Sequence, residues 1–297
     1  MKTILNSGFI ILIIGLFIGC QSNKSKINDT KKDMFAVESS DEVMVKNQSD
    51  VVFYNLFSPV DMSKIIDNKS SYFNSSFINP INNITKYTDS YKVALNLGVY
   101  GADLSYLWAF EQTQQALSYI AAIKHLTDKM GIPADFVDFT VSSAKTSTYE
   151  LDSLISLARD AYQTTDRYLK GTERENAAAL ILLGGWVETV YIALNLYNET
   201  NPALAGKIIS QKYSLNSLIL VIHNYQDDIK MAEYILLLKK LNEAFQKIES
   251  KLKPNDIQID TVNKVISINE ASNLQINPEE FKELLEQVSR VRIHIIE

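Results

Sequence analysis

Between Glu173 and Tyr197 the chain reads ERENAAALILLGGWVETVYIALNLY, and from Ala177 to Tyr197 its only charge is Glu188. A helix built from this segment is apolar on every side, so it lies inside a large core or crosses a bilayer. Its length suits a span, which takes about 20 apolar residues. Gly184, Gly185, Glu188 and Asn195 argue for the core instead, because an acid near the bilayer centre is costly without a partner. The expectation is a buried central helix around which the other helices pack. Gly184 and Gly185 each cost about 1 kcal/mol of helix propensity relative to Ala, and their use is to let a neighbouring helix come close.

The segments on either side are helical in pattern. From Tyr91 to Met130 there is no proline, and Ala94, Gly98, Ala102, Ser105 and Ala109 recur as a stripe of small residues. Leu95, Val99, Tyr106, Phe110, Leu117 and Ile120 supply bulk beside it. Such stripes permit close helix approach, and Gly131-Ile132-Pro133 is a stop signal. One long helix is expected there, then a short helix after Pro133. The next helix, capped by Ser147 or Thr148, presents Leu151, Leu154, Ile155, Ala158, Ala161 and Tyr162 and ends at Gly171. After the central helix, Asn201-Pro202 marks a break. A short helix to about Ser210 follows, then helices from Ser214 to Tyr225 and from Lys230 to Leu252. Alternation at Ile257/Ile259 and Ile266/Ile268 suggests a small β-hairpin within 257–268. Asn277 as N-cap, Pro278 in the first turn and Glu280 in capping-box position open a last helix over 278–296. Its core face is Phe281, Leu284, Leu285, Val288 and Val291. Val51–Phe57 reads as a short extended segment, and Asp67–Asn83, rich in Ser and Asn, as a loop.

The fold class expected is therefore all-α, a multi-helix bundle or an array of antiparallel helical hairpins, in a single domain over 51–297. An internal echo runs through it. Leu97-Gly98-Val99-Tyr100 matches Leu183-Gly184-Gly185-Trp186, each is followed by a proline-initiated helix, and Tyr149–Ile155 matches Tyr213–Ile219. The offsets differ by about six helical turns. A duplication would make two related units, about 89–170 and 173–252, stacked as repeats or paired about a pseudo-twofold. The period and aromatic positions of tetratricopeptide repeats are not met.

The N-terminus carries an address. Lys2 precedes an apolar run from Phe9 to Ile18, and Leu16-Phe17-Ile18-Gly19-Cys20 follows. This is a secretory signal over residues 1–19, and its end resembles the lipobox of bacterial lipoproteins. Phe17 stands where that pattern prefers Leu, and Leu16 lies one place earlier. The resemblance implies cleavage before Cys20, thioether lipidation of its thiol and acylation of the new amino terminus. Cys20 is the only cysteine, so no disulfide or thiol nucleophile is available downstream. Ser22, in place of an acidic residue, implies by the same resemblance sorting to the outer membrane. The periplasmic face is expected, since no acidic run follows Cys20. Residues 20–50 are polar and of mixed charge, a composition that buries too little to order itself and reads as a tether. In overall composition the chain resembles helical lipoproteins of Bacteroidota type, a likeness that carries no residue-level function.

Composition and motifs exclude several functions. With 29 basic and 35 acidic residues the net charge is −6, and no basic stripe with interleaved aromatics invites nucleic acid. The sequence has no G-x-S-x-G, phosphate-cradling glycine loop, H-E-x-x-H or C-x-x-C. None of the three histidines, His125, His223 and His294, follows a Glu at the spacing of di-iron bundles. His223 with Asp227 supplies too few ligands for a metal site, and no cofactor is expected. Asp103 and Glu188 stand out as acids in apolar surroundings, where perturbed carboxylates gather at functional sites or in structural networks. Together with Tyr106, Trp108, Trp186 and Tyr191 they are candidates for lining an interhelical pocket; the alternative is ordinary core. Three functions remain in order. The first is a non-catalytic binding or interaction module of the cell envelope, with an envelope protein or small ligand as partner and the membrane reached through Cys20. The second is a carrier of a small apolar or amphipathic ligand. The third is an acid/base enzyme using Asp103 and Glu188. An interaction module should expose an apolar patch, a carrier should enclose an apolar cavity, and an enzyme should bring both carboxylates to one cleft.

Overall fold

The computed structural model describes residues 72–133, 151–198, 202–249, 257–260, 265–268 and 276–297, all within one compact unit. Two short 3-10 turns, Ser75–Phe77 and Ile81–Lys86, lead into seven described α-helices. These are α1 (Ser90–Ala109), α2 (Thr113–Lys129), α3 (Leu151–Gly171), α4 (Glu175–Leu196), α5 (Pro202–His223), α6 (Ile229–Glu249) and α7 (Pro278–Ile296). Strands β1 (Ile257–Asp260) and β2 (Val265–Ile268) pair antiparallel, with Ile257 opposite Ile268 and Ile259 opposite Ile266. The molecule is an all-α bundle carrying this one small ribbon. The expected extended segment at Val51–Phe57, the short helix after Pro133, the Ser147/Thr148 cap, the signal, Cys20 and the tether lie outside the described residues.

Helix α4 is the expected centre. It is long and apolar enough to cross a membrane, yet α1, α3, α5 and α7 cover its sides. Trp186, Val187 and Glu188 are among its fully buried residues. Its most intimate neighbour is α1, and the contact falls on the two matching Leu-Gly landmarks. A Cβ on Gly98 would stand 2.0 Å from the carbonyl oxygen of Ile181, and one on Gly184 would stand 1.9 Å from that of Leu95. Backbone meets backbone there, so only glycine fits. Gly185 is looser, with its nearest neighbour 3.4 Å away.

Two sequence expectations need correction. The single helix expected over Tyr91–Met130 is a hairpin of α1 and α2. The chain turns where Glu111 adopts a left-handed φ of 56°, with Glu111 N–H donating to Trp108 O (3.0 Å) and Gln112 N–H to Leu107 O (2.8 Å). Turn hydrogen bonds of this kind close a helix without glycine or proline, so no breaker residue announced it. Conversely, the break expected near Ser210–Ser214 is absent, and α5 runs unbroken from Pro202 to His223. Ser210 and Ser214 are buried inside it, where packing overrides their weak helix preference. Helix α3 ends at Gly171 as expected, and the left-handed residue of the turn is Glu173 (φ 57°), two places beyond.

The ends of α7 follow sequence logic more closely. Asn277 accepts a hydrogen bond from Glu279 N–H at 2.9 Å, with Pro278 at the first helical position. Leu284, Val288 and Val291 are buried, and Phe281 and Leu285 pack partly buried against the core.

Candidate functional site

Asp103 on α1 and Glu188 on α4 are both wholly buried, and the structure brings them together. Glu188 is paired by Arg292, on the last turn but one of α7. Its Nε and Nη2 donate to the two oxygens of Glu188 at 2.7 and 2.6 Å, the bidentate geometry that suits a guanidinium to a carboxylate. The guanidinium also sits 4.2 Å above the Tyr191 ring, a cation–π arrangement. Burial works against its charge, and Glu188 and their shared hydrogen bonds more than offset that, so Arg292 is held firmly cationic.

Two acids face one cation, and the second acid is neutralised by a proton. Burial pushes Asp103 well above the usual carboxylate range, and the negative charge of Glu188 adds to the effect. Asp103 Oδ2 accepts from Asn79 N–H at 3.2 Å. Oδ1 has no hydrogen-bond partner. A proton on Asp103 removes the second buried negative charge beside Glu188. Burial raises Glu188 as well, against the pull of Arg292.

Around this triad lies a second, neutral network with Asn79 at its hub. Asn79 sits in the buried Ile78–Asn79 segment between the two 3-10 turns. Its backbone N–H reaches Asp103, and its carbonyl accepts from Tyr119 OH at 2.7 Å. Its side-chain oxygen accepts from Asn83 Nδ2 at 2.7 Å. Its Nδ2 donates to Tyr87 OH at 2.9 Å and to Asn96 Oδ1 at 3.2 Å. A buried non-helical segment needs such partners, because each unpaired backbone group costs free energy. Tyr87 OH donates on to Ile296 O (3.2 Å), Asn96 Nδ2 to Ile295 O (3.1 Å) and Lys92 Nζ to His294 O (2.5 Å). The orphan carbonyls of the last turn of α7 are thereby capped by side chains of α1 and its preceding loop. Burial is also what raises the Tyr87, Tyr100 and Tyr119 hydroxyls above their ordinary range, so all three stay protonated donors.

The six pocket candidates separate into three places. Glu188 and Tyr191 meet at Arg292, and Asp103 is held by Asn79. Tyr106 stacks on Phe73 (5.6 Å) and lies tilted against Phe110 (4.8 Å), and its hydroxyl accepts from Asn74 N–H at 3.0 Å; Trp108 is partly buried. Trp186 packs near Phe245 (6.4 Å) and donates to Gln211 Oε1 at 3.2 Å, towards α5 and α6. None of the six lines the cleft described next. Sequence reading missed Arg292, Asn79 and Asn96. Arg292 was findable: Leu284, Val288 and Arg292 follow one another at the four-residue spacing of a single helix face. A charge on a core stripe demands a buried partner.

Concave surface lies elsewhere. A cleft of about 630 Å³, open to solvent, lies between the start of α1, the end of α2 and the start of α4. Tyr91, Met130, Ala177 and Leu180 give it apolar wall, and Lys129, Glu173 and Arg174 give it charge. Among the described residues no cluster of three or more His, Cys, Asp or Glu could hold a metal ion. Compared with known proteins, the chain matches no family model, no curated protein and no solved structure.

Proposed function

We propose that this chain is a non-catalytic binding module of the bacterial cell envelope, anchored by lipid at Cys20 on the periplasmic side of the outer membrane. The observation that carries the binding reading is the division of labour inside the bundle. General acid/base work needs a group within hydrogen-bond reach of a substrate proton. Asp103 and Glu188 have 0% of their surface exposed and are engaged with Arg292 and Asn79. Glu188 ties α4 to α7 through Arg292, whereas an accessible concavity among the described residues is a cleft of mixed polar and apolar wall, of a size that suits a small ligand. Apolar side chains on the outside add a surface for a partner. Ile229 and Leu236 are 88% and 63% exposed, and they project from one side of α6, two helical turns apart.

The anchor is supported by the lipobox-like Leu16–Cys20 segment. Two experiments test the proposal. Metabolic labelling with palmitate in a Gram-negative host should mark the wild-type chain in the outer-membrane fraction and leave Cys20→Ser unlabelled; equal labelling of both removes the anchor. Native mass spectrometry of the purified full chain, with in-cell crosslinking beside it, should return either a bound small molecule or a discrete envelope partner. A bare chain with no crosslinked partner contradicts the binding reading.

A further inference from the structure

We propose that the cleft between α1, α2 and α4 binds a small amphipathic carboxylate, with its head held by Lys129 and Arg174 and its apolar body against Tyr91 and Ala177. The inference rests on the binding-module reading and names its ligand class. The two cations come from different helix ends, yet both are fixed in place by neutral oxygens. Lys129 Nζ donates to Tyr87 O at 2.9 Å. Arg174 Nη1 donates to Met130 O at 2.6 Å, and its Nε to Thr172 Oγ1 at 3.2 Å. An ammonium has three donors and a guanidinium five, so both heads keep N–H groups for a ligand. Among the described residues neither cation forms an ion pair with a carboxylate. Carbonyl oxygens orient these charges without neutralising them.

The rest of the lining sets the ligand's charge and shape. Glu173 is the one acid in the wall, which leaves a single net positive charge and favours a monoanion over a polyanion. Half-buried Tyr91 and Ala177, alongside buried Met130 and Leu180, give an apolar wall suited to an alkyl or aryl body. Helix α4 also begins at this cleft, with Arg174 as its N-cap and no side-chain capping bond, so the positive end of its dipole reinforces the two cations. Because the donors are already in position, little ordering cost falls on binding.

The test is calorimetric titration of the full-length chain in phosphatidylcholine nanodiscs, with empty nanodiscs as reference, using octanoate, octanol and octyltrimethylammonium. Octanoate should bind at least tenfold more tightly than octanol, and octyltrimethylammonium should not bind. Lys129→Gln and Arg174→Gln should each weaken octanoate at least fivefold and leave octanol unchanged. Lys129 is exposed on the end of α2, so its variant keeps the fold and carries the test if Arg174→Gln does not. Equal affinity for octanoate and octanol, insensitive to both variants, overturns the anionic-head assignment while the cleft remains a binding site. Binding of none of the three removes the cleft as a ligand site and the small-ligand reading with it.

Discussion

Replacing Arg292 by Met keeps the bulk of the side chain and deletes its charge. Glu188 then loses two hydrogen bonds of 2.7 and 2.6 Å at a position with no solvent to replace them. Breaking a buried ion pair on one side typically costs about 3–5 kcal/mol, a large share of the total stability of about 5–15 kcal/mol available to a domain. The loss should depend on pH in a defined direction. Without the guanidinium, Glu188 joins Asp103 in being held protonated, so the folded variant binds one proton more than the wild type. Each such proton makes stability fall by about 1.4 kcal/mol per pH unit above the unfolded carboxyl value of about 4. Urea unfolding at pH 5, 6 and 7, followed by the fluorescence of buried Trp186, should therefore show a variant deficit that widens with pH. Adding Glu188→Gln to Arg292→Met should recover most of the deficit, because no buried charge then remains unpaired. A single variant within about 0.5 kcal/mol of wild type at pH 7, the usual range for a surface substitution, would refute the buried triad.

Other outcomes follow from the same geometry. Asp103→Asn supplies a permanent donor where the wild type uses a proton. The raised Asp103 favours folding below its unfolded value of about 3.9 and loses that contribution as pH rises through its folded value. The Asn variant should thus flatten the decline of stability with pH in urea titrations, and an unchanged slope contradicts a protonated Asp103. Gly98→Ala and Gly184→Ala press a methyl group onto backbone 2.0 and 1.9 Å away. Overpacking of about 1–3 kcal/mol or more should outweigh the helix-propensity gain of about 1 kcal/mol and lower the melting temperature. Gly101→Ala, with nothing within 4 Å, should raise it, and matching shifts for all three would contradict the close crossing. Tyr87→Phe removes the donor to Ile296 O and the acceptor for Asn79, and should cost about 1–3 kcal/mol. Hydrogen exchange in the last turn of α7 should rise with it.

How much was legible in advance divides by the range of the cause. The apolar run of α4, its two glycines, the Asn277-Pro278 start of α7 and the alternation at 257–268 are local patterns, and the structure shows a central helix, a glycine crossing, a capped helix and a ribbon at those places. Asp103 and Glu188 stood out for the same reason: a charge among apolar neighbours is visible one residue at a time. The turn at Glu111 was not, because hydrogen bonds close it with residues that do not break helices. The buried serines of α5 misled in the opposite sense, since their helical state is set by what packs on them. Asn79 looked like loop material and serves as a hub only because two helices, a tyrosine pair and the end of α7 converge on it. Local chemistry in the sequence determined which segments are helical, where they must approach closely and which acids need partners. Which cation meets those acids, and where a cleft is left open, was decided by tertiary packing, because Arg292 is 104 residues from Glu188 and no periodicity spans that distance.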